Sequence, residues 1–311
     1  MTILVTGGSG FIGSHLVDVL LQEGHSVRVL DLVPPHRSDV EFVKANLGDA
    51  QAVTDAARDV TQIFHLAAIS NVNVAYEDPV GTVDANVMGT LRLLEAARRH
   101  GCKRVLFAST VWVYGGARGV EVHEDSPFYM PGAGHVYTST KIAAELLLHD
   151  YYELYNVPFT VLRYGIPYGP RARSGTVMPI FIRKALAGEP LTIFGDGSQY
   201  RNFLYVEDLA RGNVSAMAPV AENQIYNLEG PRPITVLEVV ETIRKVLGKD
   251  IPVEFKPQRP GDYRGKDVSS EKAWRDLRWK PMVDFEEGMR RYIAWFREAE
   301  GSAPKAAAPV K

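Results

Sequence analysis

One cysteine is all the chain contains, so Cys102 has no internal partner and a disulfide framework is excluded. That usage fits a reducing compartment, and the expected location is the cytoplasm. Cys102 follows Gly101 between a predicted helix and a predicted strand, the setting of a packed or loop thiol rather than a nucleophile. No apolar run reaches the length needed to cross a bilayer. The first strand begins at residue 2, which in this reading leaves no room for a signal peptide. Neither sign of charge dominates: a formal net charge of −2 gives no bulk attraction to nucleic acid or to an anionic membrane surface. No His, Cys and Asp cluster has metal-ligand spacing, so no metal is expected. Internal repeats are absent, and low complexity is confined to residues 301–311, an Ala-, Pro- and Lys-rich stretch expected as a disordered tail.

What remains is an ordinary globular composition, 46% hydrophobic and 23% charged over 311 residues, with ample core for one large domain or two smaller ones. The most informative stretch is the start, Thr2-Ile3-Leu4-Val5-Thr6-Gly7-Gly8-Ser9-Gly10-Phe11-Ile12-Gly13. A β-branched apolar run enters a glycine turn, and residues 11–21 then read as an apolar-faced helix. Strand, glycine turn and helix form the context in which such glycines bind a dinucleotide. Gly7 allows a sharp turn, Gly10 removes a side chain where backbone must approach a pyrophosphate, and Gly13 allows close helix packing. The helix N-terminus offers N–H groups and partial positive charge to the phosphates. A tight structural turn is the plainer alternative.

Further strands are predicted at residues 26–31, 41–45, 62–66, 104–108 and 158–163, with long helices at 79–100 and 135–155. In the first of these helices Val83, Val87, Leu91, Leu94 and Ala97 form the apolar stripe. The alternation implies parallel βαβ units and a doubly wound, Rossmann-type α/β sheet. After Tyr168-Gly169-Pro170 the elements shorten: helices near 179–186, from 206, and at 236–247 and 285–298, with strands at 191–194 and 253–255. The expected division is a dinucleotide-binding domain over 1–170 and a smaller, interleaved α/β substrate lobe over 171–300, with some later segments returning to the first.

Asp31 ends the second strand, where a carboxylate can accept both ribose hydroxyls of an adenosine and would repel a 2′-phosphate, favouring NAD over NADP. Arg37 is the residue that could reverse that choice by swinging toward a 2′-phosphate. Tyr137 and Lys141 are four apart at the start of a helix and share a face. The lysine charge and that of a bound nicotinamide would together lower the phenol from its free value near 10 and make Tyr137 a candidate general base for a sugar hydroxyl. A surface tyrosine beside a solvated lysine has the same spacing. Thr110 follows the strand at 104–108, and ligands of open parallel sheets bind beyond strand carboxyl ends, so its hydroxyl could face the same crevice and relay a proton. Local turn hydrogen bonding is the alternative for Ser109-Thr110. His65, before Ala67-Ala68, reads as a buried, hydrogen-bonded histidine.

Together these motifs resemble the extended short-chain dehydrogenase/reductase family, in particular its nucleotide-sugar epimerases and dehydratases. The resemblance runs to about Arg297. It includes the glycine turn, His65-Leu66-Ala67-Ala68, Asn86-Val87-Met88-Gly89-Thr90 and the Tyr137/Lys141 pair. It continues through Arg163-Tyr164-Gly165-Ile166-Pro167-Tyr168-Gly169-Pro170, Arg201-Asn202-Phe203-Leu204-Tyr205-Val206-Glu207-Asp208 and Arg259-Pro260-Gly261-Asp262. It implies a tightly held NAD contacted by Gly7, Gly10, Phe11, Ile12, Gly13, Asp31, Asn46, Leu47, Leu66, Ala67, Ala68, Asn86, Tyr137, Lys141 and Tyr164. Arg201, Arg259 and Asp262 would hold the nucleotide end of the substrate, with Thr110 and Tyr137 at the sugar. It also implies transient oxidation of the sugar at C4, Tyr137 removing the hydroxyl proton, often through Thr110.

The family's dehydratases carry an Asp-Glu pair directly after the threonine, and its decarboxylases a glutamate at the second position. Val111 and Trp112 stand there and can act as neither acid nor base. What remains is rotation of the keto sugar and return of hydride to its other face, which is 4-epimerisation of a UDP-hexose or its uronate. A dehydratase, decarboxylase or reductase, or a non-catalytic NAD-binding regulator, are the other readings. Three departures stand out: Ile166 replaces an asparagine that contacts the sugar diphosphate, Asn46-Leu47 replaces Asp-Ile against the adenine, and the position gating sugar size falls near Lys266. Arg171 and Arg173 lie near where uronate-using relatives place a carboxylate-binding arginine, so they are candidate contacts to an anionic sugar. The family commonly dimerises through the helices at 79–100 and 135–155, and a homodimer is expected.

Overall fold

The computed structural model describes residues 1–115, 121–128, 134–258 and 265–302, with side chains to 299. In chain order the first part runs β1 Thr2–Thr6, α1 Phe11–Gln22, β2 Ser26–Asp31, β3 Glu41–Lys44, α2 Ala50–Ala56, β4 Gln62–His65, α3 Val72–Glu77, α4 Pro79–Val83, α5 Gly89–His100, β5 Arg104–Thr110, α6 Val136–Tyr155 and β6 Phe159–Tyr164. The remainder runs β7 Ile166–Tyr168, α7 Val177–Ala187, β8 Leu191–Phe194, β9 Tyr200–Arg201, β10 Phe203–Tyr205, α8 Val206–Ser215, β11 Gln224–Leu228, β12 Ile234–Thr235, α9 Val236–Leu247, β13 Val253–Lys256, α10 Glu271–Leu277 and α11 Phe285–Ser302.

Seven strands form one parallel sheet in the order β11-β6-β5-β4-β1-β2-β3. This is the doubly wound α/β architecture implied by the alternation of strands and helices. Strands such as β5 and β6 are buried on both faces because helices cover both sides of a parallel sheet. One face buries Leu16, Val17 and Leu20 of α1 against Leu209 of α8 and Trp279. The other buries Val53, Leu93, Ala97, Ala144 and Leu148 from α2, α5 and α6. Strand order reverses between β1 and β4, which opens a crevice at the carboxyl ends of the strands. Register places Thr6 beside His65 and Thr110 beside Tyr164 at that edge.

A separate core joins α7, β8, α9 and α11 through Ile182, Leu191, Ile193, Ile243, Met289 and Tyr292. Three two-stranded pairings, β7 with β10, β9 with β12 and β8 with β13, belong to this part of the chain. From it β11 returns to the edge of the large sheet beside β6.

Two element boundaries depart from expectation. Residues 79–100 are helical throughout, but a π-turn at Asp84–Met88 separates α4 from α5. The wider turn rotates the helix, so the buried face is Thr82, Asn86, Thr90, Leu93, Leu94 and Ala97, while Val83 is 42% exposed. The expected stripe through Val83, Val87 and Leu91 assumed an uninterrupted 3.6-residue period. At the other end α11 continues through Ser302, so Gly301 and Ser302 are helical rather than part of a tail; the rest of that stretch lies outside the described residues. Cys102 is buried, with its thiol pushed up to about 11 by desolvation. No helix among the described residues is long and apolar enough to cross a membrane.

Candidate active site

The glycine turn lies at the β1/β4 switch point. Gly7 has φ +73°, and a Cβ there would stand 2.7 Å from the Ala67 backbone nitrogen. Gly13 serves the turn itself: a Cβ on it would collide with the Gly7 carbonyl oxygen, so α1 starts hard against the loop rather than merely against the sheet. At Gly10 the only close atom among the described residues is the Gly7 oxygen at 3.2 Å, leaving its outer side open. Gly10 also N-caps α1 without a side-chain acceptor, so the N–H groups of Phe11, Ile12 and Gly13 face outward uncapped. An uncapped helix start behind side-chain-free backbone fits a dinucleotide pyrophosphate.

Asp31 closes the other side of the turn. Its Oδ2 accepts from Ser9 N at 3.0 Å and its Oδ1 from Leu32 N at 2.7 Å. Arg37 donates to Asp39 at 2.8 Å and lies 3.7 Å from Asp18, so it is held by acids rather than extended toward a 2′-phosphate. Asn46 Oδ1 accepts from Gly48 N, and Leu47 is buried against Gly89 of α5. Leu66 N and Ala67 N are tied to Thr6, at 3.1 Å and 3.3 Å, with Ala68 following. His65 is buried between Thr6 Oγ1 at 2.7 Å and Thr90 Oγ1 at 3.0 Å, and burial brings it down to about 3. Asn86 sits in the π-turn and spends its amide on Ile69 N at 2.8 Å, Ile69 O at 2.9 Å and Thr140 Oγ1 at 3.0 Å. It therefore ties the loop after β4 to the helix that carries Tyr137.

Tyr137 and Lys141 occupy the first turns of α6, which His135 caps from its own side chain. The Lys141 Nζ donates to the Ala108 carbonyl at 2.7 Å and stands 5.9 Å from the centre of the Tyr137 ring. Burial brings Lys141 down to about 7, opposed by the Glu145 carboxylate. Burial likewise pushes the Tyr137 phenol up to about 12, while the charge of Arg173 and a hydrogen bond with Thr110 act in the opposite sense. In the chain by itself desolvation outweighs these charges; the expected lowering draws also on the charge of a bound nicotinamide. Tyr164 is buried on β6, its hydroxyl donating to Asn213 Oδ1.

The candidate substrate residues divide. Arg173 acts on Tyr137 through its charge. Arg171 turns away: it donates to Asp18 Oδ2 at 2.7 Å and contacts His15 and His36, pinning the turn after β7 onto α1. Arg201 lines two cavities at once. The narrower one follows Thr110 directly and is bounded by Val111, Trp112, Ile166, Asn202, Glu229 and Lys266. The wider, of about 360 Å³, is bounded by Val177, Phe181, Phe194, Gln199 and Phe203 among others. Arg259 and Asp262 lie outside the described residues.

Sequence reasoning missed Glu229, which directly follows β11 and lines the narrower cavity. It lay hidden because Gln224–Leu228 was not read as a strand returning to the large sheet; a strand there would have put Glu229 at the carboxyl edge. Lys266 lines the same cavity, its Nζ donating to Gly115 O at 2.8 Å and burial bringing it down to about 8.

A family model described as the NAD dependent epimerase/dehydratase family matches residues 3–228. The chain belongs to that family. It is 32% identical over 313 residues to a UDP-glucuronate 4-epimerase of Thermodesulfobacterium geofontis, covering 95% of this chain and 96% of that one. Among solved structures it is similar to a UDP-glucose 4-epimerase of Thermotoga maritima with UDP-glucose, with a TM-score of 0.90, 32% identity and coverage of 96% and 100%. A Thermus thermophilus UDP-glucose 4-epimerase complex with NAD gives 0.86 and 36%, with coverage of 96% and 100%. Decarboxylases and dehydratases of sugar nucleotides are also among its relatives. The protein is thus an enzyme of the NAD-dependent epimerase/dehydratase family, with a Rossmann-type sheet and NAD as its cofactor.

Proposed function

We propose that this enzyme is a UDP-sugar 4-epimerase. The observation that carries the reading is the pairing of the Thr110 and Tyr137 hydroxyls, with the two residues that follow Thr110, Val111 and Trp112, lining a cavity. A proton acceptor is present, and the two positions that follow Thr110 hold no acid or base.

Two cavities sharing Arg201 suit a molecule with two ends. The wider one, walled by Phe181 and Phe194, takes the base; Arg201 meets the diphosphate, whose oxygens match a guanidinium fork; the narrower one takes the sugar toward Thr110. Gly7, Gly10 and Gly13 with the start of α1 hold the pyrophosphate of NAD, and Asp31 its ribose. When bound, NAD supplies reversible oxidation at the sugar C4. Thr110 orients the 4-hydroxyl, and Tyr137 Oη, as the phenolate that the charges of Lys141, Arg173 and bound NAD would favour, receives its proton and returns it. Lys141, fixed on Ala108 O, places a positive charge on the Tyr137 side of the site, and Arg173 adds a second. The narrow sugar cavity keeps water from the oxidised sugar until it turns over.

Val80, Val83 and Met88 on one helical stretch and Leu146, Leu154 and Tyr155 on α6 are exposed apolar residues, and we propose that they meet a second copy of the chain in a homodimer. Light scattering on Val80→Asp and Leu146→Asp variants tests this; an unchanged mass relative to the parent sinks it.

The decisive experiment incubates UDP-, GDP-, dTDP- and CDP-sugars without added NAD and resolves products by NMR. A C4 epimer of a UDP-sugar is the expected product. Dehydration or decarboxylation requires an acid other than residues 111 and 112, and Glu229 is the one the cavity offers. A 4-keto-6-deoxy product, or carbon dioxide from UDP-glucuronate, would move the assignment there.

A further inference from the structure

Glu229 is 4% exposed and lines the sugar cavity, yet no lysine, arginine or histidine pairs with it among the described residues. Its partners there are backbone N–H groups: Gly230 N donates to Oε1 at 3.0 Å, and Ile166 N is the second. A carboxylate has room for about four hydrogen bonds, so about half its capacity is left for whatever enters the cavity. The fit is specific: any side chain at Gly165 would overlap the Glu229 carboxyl, so this glycine creates the carboxyl's place.

A second group points the same way. Asn202 is buried at 8% exposure, lines the same cavity, and its Oδ1 has no hydrogen-bond partner among the described residues. A buried acceptor without a donor costs stability unless a ligand supplies one. Gly230 packs against the backbone of Asn202 and Phe203, which brings the two side chains to one wall. Ile166, beside them, spends its N–H on Glu229 and otherwise offers an apolar chain.

We propose that Glu229 and Asn202 form a hydroxyl-reading wall of the sugar subsite, selecting a neutral hexose nucleotide over the corresponding hexuronate. This rests on the UDP-sugar reading above. In either ionisation state the Glu229 carboxyl accepts from a sugar hydroxyl, and Asn202 Oδ1 does the same. A sugar carboxylate brings no proton to Asn202 Oδ1, and with Glu229 ionised it sets two negative charges in one cavity, which costs binding.

The test compares kcat/KM for UDP-glucose and UDP-glucuronate in the parent, Glu229→Gln, Glu229→Ala and Asn202→Ala enzymes. The parent is expected to favour UDP-glucose. Glu229→Ala and Asn202→Ala should each raise KM for UDP-glucose about tenfold, a factor equivalent to about 1.4 kcal/mol, with a smaller effect on kcat. At pH 9, above the value of about 8 to which burial raises the carboxyl, Glu229→Gln keeps the shape and removes the charge, and should lower the UDP-glucose to UDP-glucuronate ratio at least fivefold. A parent that favours UDP-glucuronate, or variants that lower both sugars by one common factor, overturns the proposal. If Glu229→Ala does not fold, the isosteric glutamine variant decides. If neither sugar is turned over by the parent, the epimerase reading fails by itself, and calorimetric dissociation constants for the same two nucleotides give the same ratio.

Discussion

Lys141 reaches past the tyrosine one turn before it and fixes its ammonium on the carbonyl of Ala108, 2.7 Å away. The contact locks α6 to the end of β5, two residues from Thr110. Tyr137 and Thr110 are thereby held together from both sides, and the phenol lies in surroundings dry enough to push it up to about 12. Burial thus favours the neutral phenol, while the charge of Arg173 and the hydrogen bond with Thr110 act toward the phenolate.

Replacing Tyr137 by Phe removes the proton acceptor and little else. Turnover should fall by about 10²–10⁴, the usual worth of a positioned general base, while calorimetric affinity for UDP changes less than threefold. Near-parental turnover would remove Tyr137 from the role assigned to it.

Asp31 joins two tasks, since the oxygens that would meet a ribose also hold Ser9 N and Leu32 N. Asp31→Ala should therefore weaken NAD at least tenfold and narrow its advantage over NADP, measured by fluorescence titration of the apoenzyme. Equal affinities before and after the change would count against a ribose contact. Because Arg37 is held by Asp39, Arg37→Ala should leave the NAD to NADP ratio within about twofold of the parent.

The parts of this molecule that the sequence made legible are those fixed by local chemistry. A glycine turn between an apolar strand and a helix declares itself, because the backbone geometry demands those residues at that spacing. Tyr137 and Lys141 share a helical face by the same arithmetic. What escaped depends on distant partners. Asn86 was legible as a motif residue and a candidate NAD contact, but not its tie to Ile69 and Thr140, which the π-turn creates. Arg171 and Arg173, two residues apart, go to different places, because Asp18 on α1 captures the first. Glu229 gained its meaning from Gly165, sixty-four positions earlier, and no local pattern links them.

Beneath the site lies a buried ion pair whose removal should be costly. Arg163 Nη2 meets Glu145 Oε2 at 2.7 Å, with side chains 3% and 1% exposed. Ser109, next to Thr110, donates to the same carboxylate, and Arg163 also donates to Tyr114 Oη at 2.8 Å. Arg163→Met leaves Glu145 charged and unpaired, so urea unfolding should show a loss of about 3–5 kcal/mol. Adding Glu145→Leu should recover part of it, because the stranded charge is then gone. A loss below about 1 kcal/mol in the single variant would mean that water or another cation reaches Glu145.

Glu229 should also mark the pH dependence of stability. Burial raises it from 4.5 to about 8 in the folded chain. Below the lower value both folded and unfolded chains carry the proton, and the group has no differential effect. Between the two, the unfolded chain has lost the proton and the folded chain has kept it, so rising pH favours unfolding. At about 1.4 kcal/mol per pH unit, the parent should lose roughly 2–3 kcal/mol relative to Glu229→Gln between pH 5 and 7. His15 and His65, which burial lowers to about 4 and about 3, give the opposite slope, but they do so in both proteins and cancel in the difference. Lys141, lowered to about 7, begins to add stability only above that range. Urea unfolding of both proteins at pH 5, 6 and 7 therefore isolates the carboxyl. Parallel curves would show that Glu229 is already ionised in the folded chain, and with it that a cation or water reaches the oxygens assigned here to a sugar hydroxyl.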